Sequence, residues 1–364
     1  MTARALTAVK LPEFRVVRSE CSWKVGLDLG SATTTLSEVV ACAPGPASVS
    51  SAVLPTLMAY RDKGGLEAQV VIGEAAARMR DAIETFSPYA VPESHRSAAL
   101  YDFASALRQL MGTSDSRRPW GVVASPSEAD ARRQSELRAV AGELFERFLM
   151  VDETLLLALG VLDNPSDHHG VVVDVGAKAV RAAVVRGHSL KIEHRSVLPH
   201  GGRTVDQLLK NLLIEKYPDL ALTDHTALRL KEQLGFVAPA TRQCKVKLTL
   251  GNTERVIDLT SILREACESL VPVIMRAIRE VLAHCPFDVD ASYLPKVFLA
   301  GGGSATMGLP QRILQELKRE GFDRPVVNCV DDPQSQVAQG ALKWALLTRD
   351  EEWGIPLFAY RPAV

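Results

Sequence analysis

The sequence lacks an excess of charge of one sign, a long apolar run and any paired cysteines. Its 364 residues hold 42 Lys and Arg against 43 Asp and Glu, a net charge of −1. This balance argues against strong electrostatic binding of nucleic acid, and no nucleic-acid partner is expected. No stretch reaches the roughly 18 uncharged apolar residues of a membrane span, so no transmembrane segment is expected. The 6 cysteines stand singly without a CxxC pair, which favours a reducing cytoplasm over a disulfide or zinc framework.

The composition is that of a globular protein, with 47% hydrophobic and 23% charged residues. A chain of this length exceeds what one hydrophobic core usually supports, so two domains or half-domains are expected. Segments typical of strands alternate with segments typical of helices along the chain, which predicts an α/β fold.

Two segments of the sequence read alike. Residues 25–30 and residues 171–176 are both aliphatic runs that end in Asp-x-Gly, and each is followed by a short turn and a second apolar run. Both are typical of a strand, a tight turn and a second strand. The similarity predicts an internal duplication, although two Asp-x-Gly strand ends could also arise by coincidence.

The first of these turns has the chemistry of an anion site. The hydroxyl-rich residues 31–34 follow Asp28 and Gly30, so backbone N–H groups and hydroxyls could face a phosphate. The Asp28 carboxylate would repel phosphate unless it contacted magnesium or its waters. One such turn is explained equally well by an ordinary hairpin, whereas two of them with a glycine triplet favour a nucleotide.

That triplet, Gly301 to Gly303, follows a predicted strand at residues 296–300. Three glycines imply close approach of a ligand or of another backbone, or else a flexible loop. Glu153 lies where a predicted strand meets an apolar helix. It could orient or deprotonate a water molecule, or simply be a carboxylate favoured by the helix dipole.

The order and spacing of four segments resemble the superfamily of actins, heat-shock chaperone ATPases and sugar kinases. These segments are residues 25–35, 151–161, 172–184 and 298–309. From about Lys24 to Trp353 the chain is most similar to bacterial actins of the MreB and MamK group, especially the magnetosome filament proteins. Residues 215–220, 297–304 and 327–333 add to this resemblance. It implies an actin-like fold, with two duplicated ribonuclease-H-like halves around a nucleotide cleft and a smaller inserted subdomain in each.

The resemblance also implies domain boundaries. An N-terminal tail would cover residues 1–21, and the first half residues 22–167 with an insertion at about 54–95. A C-terminal helix at about 335–364 would join this half. The second half would cover residues 168–334, with an insertion at about 204–260.

ATP or ADP with Mg²⁺ is the implied ligand, and each candidate residue takes its role from the matching family position. Asp28, Gly30, Ser31, Ala32 and Thr33 would hold the β-phosphate and metal, Glu153 would polarise the attacking water, and Asp174 and Gly176 would form the second phosphate strap and metal contact. Gly202 and Asp206 would lie near the ribose and phosphates, Lys231 near the ribose or adenine, and Gly301, Gly302 and Gly303 at the adenine and α-phosphate.

The second strap departs from the family pattern. Where the family reads Asp-x-Gly-x-Gly-Thr-Thr-Asp, residues 174–181 lack the second glycine, both threonines and the last aspartate. Lys178 could point into the cleft and hold phosphate while turnover slows. Alternatively, Lys178 and Arg181 could face solvent or a neighbouring subunit, with nucleotide binding weakened or lost. We favour retained binding with impaired hydrolysis, since the other elements are present.

The expected function is that of a cytoplasmic, cytoskeletal ATPase whose subunits polymerise into filaments, with hydrolysis that could be slow or lost. A role in organising magnetosomes, with magnetosome or other cytoskeletal adaptor proteins as partners, rests on the resemblance alone. The alternative is a non-hydrolysing actin-like scaffold or a partner of another filament. A chaperone-type ATPase or a small-molecule kinase is less favoured; for the kinase, no loop supplies a substrate base.

Overall fold

A computed structural model describes residues 9–10, 23–40, 48–61, 69–80, 82–112, 118–162, 170–186, 191–251, 253–284 and 296–353. Contacts divide the chain into two compact units, Met1–Asp163 with Gln334–Val364, and Asn164–Pro333. Most of the predicted N-terminal tail, the predicted boundary at residues 167–168 and residues 354–364 lie outside the described residues. None of the helices within those ranges is long and apolar enough to cross a membrane.

The first unit is built on a mixed sheet with strand order β1-β4-β3-β2-β7-β8. Its strands are β1 (Val9–Lys10), β2 (Lys24–Leu29), β3 (Thr33–Val40), β4 (Ser48–Pro55), β7 (Trp120–Ser125) and β8 (Arg147–Asp152), with a separate hairpin of β5 (Met58–Arg61) and β6 (Gln69–Ile72). Its helices are α1 (Gly73–Arg78), α2 (Glu93–Leu110), α3 (Ala131–Leu144), α4 (Glu153–Val161) and α10 (Gln336–Leu347), followed by a 3-10 turn at Asp350–Glu352.

The second unit has a mixed sheet with strand order β11-β10-β9-β14-β15. These strands are β9 (Gly170–Val175), β10 (Val180–Arg186), β11 (Lys191–Leu198), β14 (Lys296–Ala300) and β15 (Val326–Cys329), and β12 (Lys245–Leu250) pairs with β13 (Thr253–Asp258) apart from it. The helices are α5 (Gly202–Lys216), α6 (Asp224–Leu234), α7 (Thr260–Glu268), α8 (Leu270–Ala283) and α9 (Leu309–Arg319), with a 3-10 turn at Gly302–Ala305.

The two sheets share one topology. In each, an antiparallel meander leads to a central strand, β2 or β9, whose other neighbour is parallel to it. The valines of β9 are buried, as expected of a central strand with both faces covered. The repeated arrangement confirms the duplicated α/β fold predicted from the two Asp-x-Gly segments.

The sequence patterns predict a helix over residues 261–284, a strand over residues 53–59 and a last helix over residues 332–347, and the structure corrects each of them. The helix predicted over residues 261–284 is interrupted at Ser269. Pro272 has no N–H to donate to the carbonyl of Glu268. The Ser269 hydroxyl also donates to the carbonyl of Ala266, which competes with regular helical bonding at this point. One predicted strand over residues 53–59 is the end of β4 and the start of β5.

The last helix is shorter than predicted at its amino end only. It begins at Gln336 rather than residue 332 and ends at the predicted residue, Leu347, where Thr348 turns to an extended conformation. The Thr348 hydroxyl donates to the carbonyl of Trp344 at 2.8 Å, which satisfies one of the terminal acceptors of the helix.

Candidate functional site

The turn after β2 is held in place by side chains of the first unit. Thr56 donates its hydroxyl to the Gly30 carbonyl at 2.8 Å and its backbone N–H to the Ala32 carbonyl at 2.8 Å. The Arg133 guanidinium donates to the carbonyl of Leu29 at 3.1 Å. Because the carbonyls of the turn accept bonds from the body of the unit, the predicted phosphate turn has a fixed conformation rather than that of a mobile hairpin tip.

Asp28 and Glu153 lie at the same edge of the first sheet. β2, β7 and β8 are parallel, so their carboxyl ends meet at one edge. Glu153 is the first residue of α4, directly after β8, and Asp152 caps this helix by accepting N–H bonds from Thr154 at 3.0 Å and Leu155 at 3.2 Å. The cap fixes where the helix begins, and thereby the position of Glu153.

The second Asp-x-Gly turn is bonded to the start of α5. Gly176 closes the hairpin through its N–H to the carbonyl of Ala179 at 3.0 Å, and its own carbonyl accepts the N–H of Gly202 at 3.0 Å. Arg203 donates its N–H to the carbonyl of Ala177 at 2.8 Å. Two backbone hydrogen bonds therefore join the turn to the amino end of a 15-residue helix.

Lys178 and Arg181 have different surroundings, although one alternative from the sequence was that both face solvent or a neighbouring subunit. Lys178 is exposed at the tip of the hairpin. Arg181 lies opposite Asp174 in the antiparallel ladder, and its Nη1 is 3.4 Å from Asp174 Oδ2. Only 15% of the Arg181 side chain is exposed, so this residue does not face bulk solvent.

The glycine triplet packs against the end of β9. Gly301 has φ of +79°, a conformation that favours glycine, and a Cβ there would overlap Asp174 Oδ1. A Cβ on Gly303 would lie 3.0 Å from the Val175 carbonyl oxygen. The group that closely approaches these glycines is thus the end of β9 in the same chain. Their contact with adenine stays a prediction.

Three further predicted residues, Gly202, Asp206 and Lys231, lie together at the amino end of α5, beside the hairpin turn at Gly176 and Ala177. Lys231 Nζ is 2.7 Å from Asp206 Oδ1 and donates to the carbonyl of Gly202 at 3.1 Å. Burial raises the pKa of Asp206 above its ordinary value, although the charge and hydrogen bond of Lys231 oppose this shift. Burial also disfavours the charged form of Arg203 and thereby lowers the pKa of its guanidinium. Lys231 therefore links α6 to the amino end of α5.

The predicted metal contacts are one carboxylate in each unit, Asp28 in the first and Asp174 in the second. No group of three or more His, Cys, Asp or Glu side chains that could hold a metal ion occurs among the described residues. The Asp174 carboxylate already forms an ion pair with the Arg181 guanidinium. A magnesium ion would therefore rely mainly on phosphate oxygens and water, which is a common mode for this ion.

Three side chains that contact these turns were missed in the sequence. The Arg181 contact could have been found, since a tight turn between Gly176 and Ala179 sets a register in which residues 174 and 181 are opposite. Thr56 and Arg133 gave no such signal, because they reach the first turn only through the tertiary fold.

Solved structures of similar shape define the class of fold. A MamK double helical filament matches with a TM-score of 0.76 at 24% identity, over 90% of this chain and 99% of that one. MreB 5 of Spiroplasma citri bound to AMPPNP matches with a TM-score of 0.71 at 18% identity, over 88% and 95%. The fold is therefore actin-like.

The sequence comparisons give the family. The family model described as MreB/Mbl protein matches residues 22–351, so the chain belongs to the MreB/Mbl family of bacterial actins. A curated relative, the actin-like protein MamK of Paramagnetospirillum magneticum, is 28% identical over 232 residues, which are 64% of this chain. The match spans 65% of that relative, just under two thirds of its length.

Proposed function

We propose that this chain is an actin-like filament protein that binds ATP or ADP and polymerises with copies of itself. The proposal is supported by its relatives, since MreB 5 of Spiroplasma citri is solved with AMPPNP and MamK as a double helical filament. The observation that carries it is the continuous element in the second unit, in which Gly176, Gly202 and Gly301 bring the hairpin, α5 and the glycine turn together.

In this proposal the residue roles are those that the family resemblance implies. The turn with Asp28, Gly30, Ser31, Ala32 and Thr33 and the turn with Asp174, Gly176 and Lys178 hold phosphates. Gly202 and Asp206 contact the ribose and phosphates, Lys231 contacts the ribose or adenine, and Gly301, Gly302 and Gly303 contact the adenine and α-phosphate. Carboxyl ends of parallel strands are where open α/β sheets bind ligands, which supports this placement.

Hydrolysis is expected to be slow in this proposal. Glu153 supplies a carboxylate that can polarise a water molecule, but the second strap has lost the hydroxyls and the glycine that would position a γ-phosphate. A filament that binds nucleotide without turnover is the second candidate, and the ion pair of Arg181 with Asp174 favours it.

Binding and assembly can be tested separately. Affinity for a fluorescent ATP analogue would be measured by titration, with ATP and ADP as competitors, for the native chain, Lys231→Gln and the exposed control Lys247→Gln. We expect competition by both nucleotides, and roughly tenfold weaker binding in Lys231→Gln alone. Absence of nucleotide binding in a folded native chain would reject the nucleotide part of the proposal.

Assembly would be followed by high-speed sedimentation and electron microscopy with ATP, with ADP and without nucleotide. Filaments are expected, and a chain that stays monomeric in all three conditions would reject self-assembly. A role in positioning magnetosomes or another cargo rests on the MamK relatives. It would be tested in the source cells with a fluorescent fusion, which should mark lines that disappear when assembly-defective variants are expressed.

A further inference from the structure

The Asp174 carboxylate already has a fixed cation beside it. Arg181 Nη1 is 3.4 Å from Asp174 Oδ2, and the exposed fractions of the two side chains are 15% and 18%. An arginine keeps its charge at every physiological pH, and its planar guanidinium has several N–H donors, so it can contact a carboxylate and a phosphate together.

The backbone of two glycines lies close to the carboxylate of this pair. A Cβ on Gly176 would lie 3.3 Å from Asp174 Oδ2 and 3.6 Å from Arg181 Nη1, and one on Gly301 would overlap Asp174 Oδ1. Magnesium demands octahedral coordination at about 2.1 Å and keeps several waters. An ion bound directly to Asp174 Oδ2 would therefore compete with the Arg181 guanidinium for that oxygen.

The pair also lies where a phosphate would approach. Asp174 is next to the last residue of β9, and it pairs with Ala300 at the end of the parallel strand β14. The hairpin turn and the amino end of α5 are bonded to each other directly after this point. Helix amino ends favour anions, and open α/β sheets bind ligands at the carboxyl ends of their strands.

We propose that Arg181 supplies at this strap the positive charge that a divalent cation would otherwise bring, so that ATP binding by this chain does not require Mg²⁺. The inference rests on the nucleotide binding proposed above. Asp174 positions the Arg181 guanidinium, which binds a phosphate oxygen. Removal of metal ions by a chelator leaves the charge of this guanidinium in place.

The test compares affinity for the fluorescent ATP analogue in Mg²⁺ with affinity in EDTA. The native chain should differ by no more than about threefold between the two conditions. Asp174→Asn should show the same independence with equal or tighter binding, because the amide oxygen can still position Arg181 but no longer neutralises its charge. Arg181→Gln should bind roughly tenfold more weakly in EDTA and recover in Mg²⁺, since the Asp174 carboxylate becomes available to the ion.

The exposed Arg255 of β13 provides a matched control, and Arg255→Gln should behave as the native chain. Thermal unfolding of each variant establishes that it is folded. Tight native binding in Mg²⁺ that falls tenfold or more in EDTA would overturn this inference and leave nucleotide binding intact. Unchanged binding of folded Arg181→Gln in EDTA would also overturn it. No native binding in either condition would reject the proposed function, and this inference with it.

Discussion

Gly340 in α10 lies directly against the carbonyl oxygen of Leu156 in α4. A Cβ on Gly340 would overlap that oxygen, and a Cβ on Gly160 would overlap the carbonyl oxygen of Gln336 in the same way. The two helices of the first unit therefore meet backbone to backbone, and Lys343 ties them further by donating to the Leu159 carbonyl at 3.0 Å.

Gly340→Ala should destabilise the first unit. The added methyl group must push the helices apart, at a cost of about 1–3 kcal/mol in the free energy of unfolding. Chemical denaturation would measure it. The control is Gly142→Ala on the exposed face of α3, where a Cβ meets nothing within 4 Å. This change should stabilise by about 0.5–1 kcal/mol, and equal effects of the two substitutions would contradict the packing argument.

Lys231→Met should lower the unfolding free energy in a pH-dependent way. The Lys231 and Asp206 side chains are only 16% and 17% exposed, so the substitution leaves a largely buried carboxylate without its cation. We expect a loss of about 3 kcal/mol near neutral pH, at the lower end for a buried pair because some exposure remains.

The sign follows from the pKa of Asp206, which burial already raises above 3.8 in the native chain. A carboxyl with a raised folded pKa binds its proton more tightly when folded, so its contribution to stability falls as pH rises above 3.8. Removal of Lys231 raises this pKa further. The deficit of the variant should therefore shrink on acidification, and Asp206→Asn combined with Lys231→Met should recover most of it. A loss independent of pH would point to packing instead.

Asp152→Ala should weaken the start of α4 by about 1 kcal/mol, because two N–H groups of its first turn lose their acceptor. Asp152→Asn keeps an acceptor oxygen and should cost less. Thermal unfolding of both variants would measure the difference. Equal costs would show that the charge of Asp152, rather than its capping bonds, matters at this position.

Phosphate release from Mg-ATP tests the role of Glu153 and of the altered strap. Any release by the native chain should be abolished in Glu153→Ala, because the attacking water loses its base. Lys178→Gly should raise it, because the exposed side chain at the hairpin tip is replaced by the glycine of the family pattern. Release that survives in Glu153→Ala would exclude this carboxylate as the base.

Local patterns in the sequence predicted much of the fold but not every boundary. Both Ser127 and Asp130 suit the cap of α3, and the structure uses Asp130, whose carboxylate accepts the N–H of Arg133 at 2.7 Å. Ser127 instead lies 3.2 Å from the Thr154 hydroxyl. Both residues are good caps, so only the path of the chain into the helix decided between them.

The duplication was predictable from local patterns alone, because two aliphatic strands that each end in an Asp-x-Gly turn favour two similar sheets. The departures of the second strap from the family pattern could also be identified residue by residue. Which side chains meet depends on the tertiary fold. Asp206 and Lys231 are 25 positions apart and come together only because α6 packs beside α5. Arg181 became the partner of Asp174 through strand register, and Gly340 the neighbour of Leu156 through helix packing, since contacts between distant residues depend on burial of the whole core rather than on local propensity.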